Sequence, residues 1–326
     1  MKVSVIIITK DEQPRLKLCL IALARQTVNW RDDAELILVD DGSAVAVGSA
    51  DIPAGGPQPL IIRHERSRGR SASRNAGAFA AHGRRLLFLD GDVLMSPDAV
   101  ERHSRLAPDE LGRGEQRHLR GTRFFLDPRT GIPWPSKETR VGSMGNLTPY
   151  LVTEKMVAQE PYEDLLQRSE VAIYPGAAPR KLYELEMSAL RAGSAPLAQW
   201  MAAAGHNFSF PRSKFAAAGG FDQDISINEH RELALRLCRA GARLVVVEGA
   251  VSLHLTHREG YRDPLSGEDG WEHAFAGRHP FEARIMMRFW RSLAGDSRID
   301  PADRVLTLER VDELLRAGAG AGGAAA

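Results

Sequence analysis

The N-terminal segment constrains the fold more than any other part of the chain. Residues 2–9 read KVSVIIIT, a nearly continuous β-branched run without polar alternation. A run of that kind belongs to a strand buried on both faces, the place of a strand in a parallel sheet with helices on either side. An amphipathic helix follows from Pro14 to Gln26, with Leu16, Leu20 and Leu23 on one face and Leu18 and Ile21 widening it. A second buried strand at 35–39 (ELILV) stops at Asp40-Asp41-Gly42-Ser43. The Gly/Pro-rich connector Pro53–Pro59 leads to a short strand near Leu60–Arg63. A helix from Ala72 to His82 then precedes the strand Arg85–Leu89, which ends in Asp90-Gly91-Asp92. Strand and helix alternate throughout, which predicts right-handed crossovers and a mostly parallel, doubly wound sheet.

The middle of the chain carries weaker signals. Residues 112–200 hold Gly/Pro punctuation, a strand pattern at Arg120–Leu126 and helical stretches at Tyr162–Glu170 and Arg180–Ala192. Order returns with an apolar stretch at Asn207–Phe210, helices at Arg212–Ala218 and Glu229–Ala240, and a strand at Arg243–Val247. Val251–His257 alternates apolar and polar residues, and helices are expected at Phe281–Leu293 and Pro301–Arg316, the latter opened by an Asp300-Pro301 cap. The Gly/Ala tail Ala317–Ala326 is expected to be disordered. The chain divides on this reading into 1–111, the parallel half; 112–258, a second half with a helical insertion; 259–316, a polar loop and C-terminal helices; and 317–326, the tail.

Charge and cysteine content exclude several classes. A net charge of +1 does not suit a nucleic-acid binder, so no nucleic acid is expected as a partner. Cys19 and Cys238 lie far apart inside apolar helical patterns, with neither metal spacing nor a disulfide framework, which fits a cytoplasmic protein. Val3–Ile8 is too short to span a bilayer and lacks a cleavage pattern, so no integral membrane segment is expected. Of the 43 basic residues only seven are Lys, and Arg is the residue for bidentate phosphate contacts. The stretch Arg63–Asn75 holds five of these Arg and runs into a helix start, where exposed N–H groups favour anions.

Loop acids end two strands of the parallel half, and ligands in open α/β sheets bind at the carboxyl ends of the strands. A carboxylate there can bond a ribose hydroxyl or a base N–H, and a DxD turn can hold a hard divalent cation through oxygen. One such pair has little meaning, because Asp and Gly favour turns; two, each closing an apolar strand, point to a single crevice.

These elements carry a family resemblance. Val3-Ser4-Val5-Ile6-Ile7-Ile8-Thr9-Lys10-Asp11-Glu12, Val39-Asp40-Asp41-Gly42-Ser43, Ser73-Arg74-Asn75-Ala76-Gly77 and Phe88-Leu89-Asp90-Gly91-Asp92 resemble the opening of family 2 glycosyltransferases of the GT-A fold. The resemblance implies a Rossmann-like, mixed but mostly parallel sheet flanked by helices, with a helical insertion and C-terminal helices. It also implies a nucleotide-sugar donor, most often UDP-linked. Thr9 and Asp41 would contact the base and Arg74 the base or diphosphate, with Asp11, Arg70, Asp90 and Gly91 in the same donor site. Asp90, Asp92 and His254 would hold Mn2+ or Mg2+. His254 is preferred over His257 because it shares a strand face with Ser252 and Thr256.

Gly205–Arg212 and Gly219-Gly220-Phe221-Asp222 look like the acceptor-side element of the galactosyl and N-acetylgalactosaminyl branch. Glu229-His230-Arg231-Glu232-Leu233 stands where that branch has a Glu-Asp pair, with His230 replacing the second carboxylate, the usual general base. Glu229 or His230 would then deprotonate the acceptor, whereas Glu232 reads as an i,i+4 partner of Arg236. Trp134, Asn207 and Trp271 are candidates for acceptor contact, and the loop Glu259–Trp271 for a lid over the donor.

The implied activity is inverting, metal-dependent transfer of a sugar to a hydroxyl or amine of a soluble small-molecule, peptide or glycan acceptor, with homo-oligomerisation left open. A nicotinamide dehydrogenase is disfavoured, because Thr9-Lys10-Asp11-Glu12 has no Gly-rich turn. A sugar nucleotidyltransferase, which would open on a Gly-rich basic loop, and a catalytically impaired nucleotide- or sugar-binding protein of the same fold are the alternatives.

Overall fold

The computed structural model describes residues 1–119, 152–171, 178–255 and 270–322. Strand β1 (Val3–Thr9) is buried along its whole length and pairs in parallel with both β2 (Ala34–Asp40) and β4 (Arg85–Asp90). Helix α1 (Gln13–Ala24) connects β1 to β2, β3 (Leu60–Arg63) lies parallel on β2, and α2 (Arg70–Ala80) returns the chain to β4. The two faces of β1 explain its composition. Val3, Val5 and Ile7 enter the core under α1 with Leu16, Leu20 and Leu23. Ile6 and Ile8 enter the opposite core, built around Phe88, Phe208, Phe210, Phe215 and Phe221. Each such fully buried side chain contributes about 1.5–3 kcal/mol.

Beyond Asp90 the sheet becomes mixed. After β5 (Val93–Met95) and α3 (Ala99–Ser104) comes the long strand β6 (Glu110–Leu119). Helices α4 (Glu154–Gln159) and α5 (Tyr162–Gln167), the short β7 (Ser169–Glu170) and α6 (Ala178–Ala192) follow. Then come β8 (Phe208–Pro211), α7 (Arg212–Ala217), α8 (Glu229–Arg239) and β9 (Arg243–Leu255). The strand order is β3-β2-β1-β4-β8-β6-β9-β5, with β7 beside β6. β8 runs antiparallel to β4 and β6, β9 parallel to β6, and β5 antiparallel to β9.

Only Gly91 and Asp92 separate β4 from β5, a reach of about 10 Å when extended. The far ends of β6 and β9 must therefore curl back over the carboxyl end of β4. A bulge between Gly114 and Glu115 marks the bend in β6. Helices α9 (Trp271–Arg278), α10 (Pro280–Leu293) and α11 (Leu308–Gly322) complete the fold.

Several expectations need adjustment. The segments read as strand 243–247 and alternating stretch 251–257 form a single strand over 243–255. The expected helix from Pro301 is a single 3-10 turn, Pro301–Asp303, capped by Asp300; the chain then extends and restarts as α11. That helix runs on into 317–322, part of the tail expected to be disordered, where Gly318 packs closely against the Phe281 ring of α10. The strand pattern at Arg120–Leu126, Trp134, His257 and the loop 259–269 lie outside the described residues. Among the described residues no helix is long and apolar enough to cross a membrane.

Candidate active site

Register brings the candidate residues to one edge of the sheet. Thr9 pairs with Asp40, Ile8 with Asp90, and Asp40 with Arg63, so β1 to β4 all finish at this edge.

The two acids after β2 have different surroundings. Asp40 is fully buried and accepts N–H groups from Ser43 and Val47 and the Arg63 guanidinium, so it shapes its own loop. Asp41 accepts from Ser67 Oγ at 2.7 Å, the Arg68 N–H at 2.7 Å and the Gly69 N–H at 3.0 Å, and lies 2.9 Å from His64 Nδ1. Burial raises its carboxyl, but these contacts hold it below the ordinary range. Asp41 therefore fixes the Arg-rich loop, and a nucleotide base would meet a carboxylate already engaged on both oxygens. Gly42 completes the arrangement at φ +73°, where an added Cβ would lie 2.6 Å from Ser67 N. Asp11 braces the same loop, accepting from the Ala44 N–H and donating its own N–H to Ser43 Oγ. Arg70 opens α2 and is exposed.

The DxD turn faces the end of β9. Asp92 Oδ2 lies 3.4 Å from His254 Nε2, and the Leu255 N–H donates to the Asp92 carbonyl. Burial lowers the His254 imidazole, but Asp92 more than reverses this and holds it above its ordinary value. Among the described residues no three His, Cys, Asp or Glu side chains converge tightly enough to enclose a metal ion. A carboxylate and an imidazole this close still fit a cation that takes its remaining ligands from substrate phosphates, the usual habit of Mg2+.

Two further groups stand beside the turn without having been singled out in the sequence. Glu12 packs where a Cβ on Gly91 would fall, 2.6 Å from its Oε1, and its carboxyl is raised by burial and then by Asp92. His206 lies 3.8 Å from Asp90 Oδ2 and stacks on His254, and burial lowers its imidazole to about 4. The available signals were their neighbours: Glu12 follows Asp11, and His206 precedes Asn207 in the acceptor-side element.

Arg74 joins the DxD turn to the start of α8. From within α2 its buried guanidinium donates to Asp90 Oδ1 at 2.9 Å, to the Gly205 carbonyl at 3.0 Å and to Glu229 Oε1. Glu229 is 2% exposed at the start of α8. Burial raises its carboxyl, yet Arg74, followed by His230, outweighs this and holds it at about 2. His230 Nδ1 lies 3.6 Å from Glu229 Oε1, and its Nε2 lies 2.9 Å from Arg231. Glu232 pairs with Arg236 at 2.7 Å and with His279, the structural role expected of it.

The acceptor candidates do not gather here. Asn207 is fully buried at φ +52°, donates to the Glu115 and Ala250 carbonyls and bonds His103 Nε2, so it pins the bend of β6 and β9. Trp271 is 1% exposed, packed edge-on against Phe275 and tilted against Trp290 in the core of the C-terminal helices. Its apolar bulk is better buried there than presented to a ligand.

Comparison with known proteins bears on the N-terminal segment and on the fold. Residues 4–110 match the family model Glycosyl transferase family 2. The uncharacterized glycosyltransferase EpsJ of Bacillus subtilis is 30% identical over 153 residues, covering 46% of this chain and 42% of EpsJ. The pre-mycofactocin glycosyltransferase of Mycobacterium tuberculosis is 27% identical over 260 residues, covering 78% of this chain and 45% of that protein. The chain thus spans less than half the length of these curated relatives. In fold it resembles residues 1–349 of S. aureus TarS, with a TM-score of 0.51, 16% identity, and coverage of 91% of this chain and 73% of that one. The structure of the same protein in complex with UDP-GlcNAc gives a TM-score of 0.50 at 15% identity, covering 89% and 72%. Residues 4–110 therefore carry the sequence of a family 2 glycosyltransferase segment, and the sheet that the chain builds around it has the topology of the GT-A fold.

Proposed function

We propose that the chain transfers a sugar from a nucleotide donor, UDP-linked, to a hydroxyl or amine of a small-molecule, peptide or glycan acceptor, with inversion and with Mn2+ or Mg2+. The observation that carries this reading is Arg74, one buried guanidinium shared by Asp90 of the DxD turn and Glu229 of α8. A diphosphate held at the DxD turn and an acceptor proton taken by Glu229 would both lie within reach of that one side chain.

In a single displacement the acceptor oxygen bonds the anomeric carbon as its proton passes to Glu229. The bond to the diphosphate breaks, and its electron pair leaves with the diphosphate. Asp90, Asp92 and His254 would hold the divalent cation, which supplies positive charge to the departing phosphates. At about 2 the Glu229 carboxylate is a weak base, but a diphosphate competes for Arg74 and so loosens the contact that holds it down.

UDP sugars are the first donors to test, since one fold neighbour is described in complex with UDP-GlcNAc. Calorimetric titration with UDP, with and without Mn2+, followed by assays of donor hydrolysis and transfer, tests the reading. Glu229→Gln is expected to keep UDP binding and lose about 10²–10⁴-fold in transfer. Failure to bind any nucleotide sugar, or Asp92→Ala with full metal-dependent activity, would refute it. The near-complete burial of Glu229 and the histidine beside it favour one second reading, a binding protein without turnover. UDP binding with neither hydrolysis nor transfer would decide for that.

A further inference from the structure

We propose that Arg231, held by Glu186, is a positioning residue that fixes His230 as its neutral Nδ1–H tautomer turned toward Glu229, leaving Glu229 to take the acceptor's proton. The inference deepens the transferase reading and rests on it for the catalytic consequence, though not for the tautomer itself.

A guanidinium carries donors and no acceptor. Arg231 lies 2.9 Å from His230 Nε2, so that nitrogen must accept, and the ring proton resides on Nδ1. Nδ1 is the nitrogen that faces Glu229 Oε1, at 3.6 Å. With Nε2 engaged and Nδ1 protonated, neither nitrogen offers a lone pair to an acceptor hydroxyl. The histidine that replaces the family's usual acid therefore acts on Glu229 and not on substrate.

Arg231 is held from four directions. Its Nε donates to the Met201 carbonyl at 2.8 Å, and one terminal nitrogen donates to Asn228 Oδ1 at 2.7 Å. The other lies 3.3 Å from Glu186 Oε1 of α6, and the guanidinium sits 5.1 Å over the Trp290 ring of α10. Glu186 is itself buried and bonded to Arg113 of β6 at 2.7 Å. The charged groups facing His230 are thus Glu229 and Arg231 from its own helix and Arg74 from α2, with Glu186 and Arg113 behind Arg231. Burial keeps the imidazole below its ordinary value, in keeping with a neutral ring. Helices α6 and α10 lie outside the family-matched segment, and this contact is how they reach the site.

Protein labelled with 15N-histidine, read by two-bond 1H–15N correlation with His230→Gln for assignment, reports the tautomer without turnover. The expected result is Nδ1–H in the wild type and in Arg231→Lys, which keeps a donor-only cation. Arg231→Met should give mixed tautomers, and Glu186→Gln a smaller change in the same direction, which serves if Arg231→Met does not fold. In the transfer assay Arg231→Met should lower kcat on the order of tenfold to a hundredfold at unchanged donor KM and add an ionisation to the pH profile. Arg231→Lys should restore most of the rate. An Nε2–H ring or an imidazolium in the wild type overturns the proposal, as does a loss of kcat with unaltered pH profile and no rescue by lysine. A wild-type protein with the expected tautomer but no transfer would count against the transferase reading alone.

Discussion

Removing Arg74 tests the electrostatic centre of the molecule, because its partner Glu229 has almost no access to water. A carboxyl held at about 2 against an ordinary 4.5 represents about 3 kcal/mol of favourable interaction with its charged form. Since the folded value lies below the unfolded one, this stability is present above pH 4.5 and is lost as the pH falls through about 2. In Arg74→Met the burial remains and the cation is gone, so the carboxylate is stranded. Breaking a buried pair in this way costs about 3–5 kcal/mol. The Asp90 contact adds little, since that side chain is 32% exposed.

Urea denaturation followed by circular dichroism should therefore show a loss of about 3–5 kcal/mol at pH 7. The gap should narrow by about 1 kcal/mol or more on going to pH 4, as the stranded carboxyl takes up a proton. On a Glu229→Gln background the same substitution should cost much less, because no charge is left alone. A penalty independent of pH, or an equal penalty in both backgrounds, would refute the reasoning.

Two further outcomes follow from the loops. Gly42→Ala forces a left-handed residue and a Cβ against Ser67 N; it should cost about 1–2 kcal/mol or more and weaken UDP binding, read by thermal shift with and without UDP. Asn207→Ala leaves His103 Nε2 and the Ala250 carbonyl without this partner and the Glu115 carbonyl with only Ser252 Oγ at 3.2 Å; denaturation should show a loss of roughly 3 kcal/mol, with no selective effect on acceptor KM.

The parallel half was legible because its strands are apolar runs closed by acids, so Thr9, Asp40 and Asp90 come together by register alone. β6 escaped notice for the opposite reason. Its sequence, ELGRGEQRHL, has neither alternation nor β-branched residues, and it is a strand because β8 and β9 pair with it on both sides. Gly112 and Gly114 belong there because Leu106 and Asn207 fill the space a Cβ would need. Glu229 could be found from its place beside a helix start, but its bond to Arg74 spans 155 residues and no local pattern announces it. Asn207 and Trp271 were misplaced because a polar or aromatic side chain near a site reads the same in sequence whether it meets a ligand or a neighbour.

The strand order also limits how such a protein can be rearranged. β5 lies within the family-matched segment, yet its sheet neighbour is β9, so the segment contributes to both edges of the sheet and the later strands are wedged between. A chimera that joins residues 1–110 to the second half of a relative would ask Val93–Met95 to pair with a foreign strand, beside the turn that carries Asp92. A new second half can be grafted only if β5 travels with β9, so the tripeptide Val93–Met95 marks the real seam between the two halves.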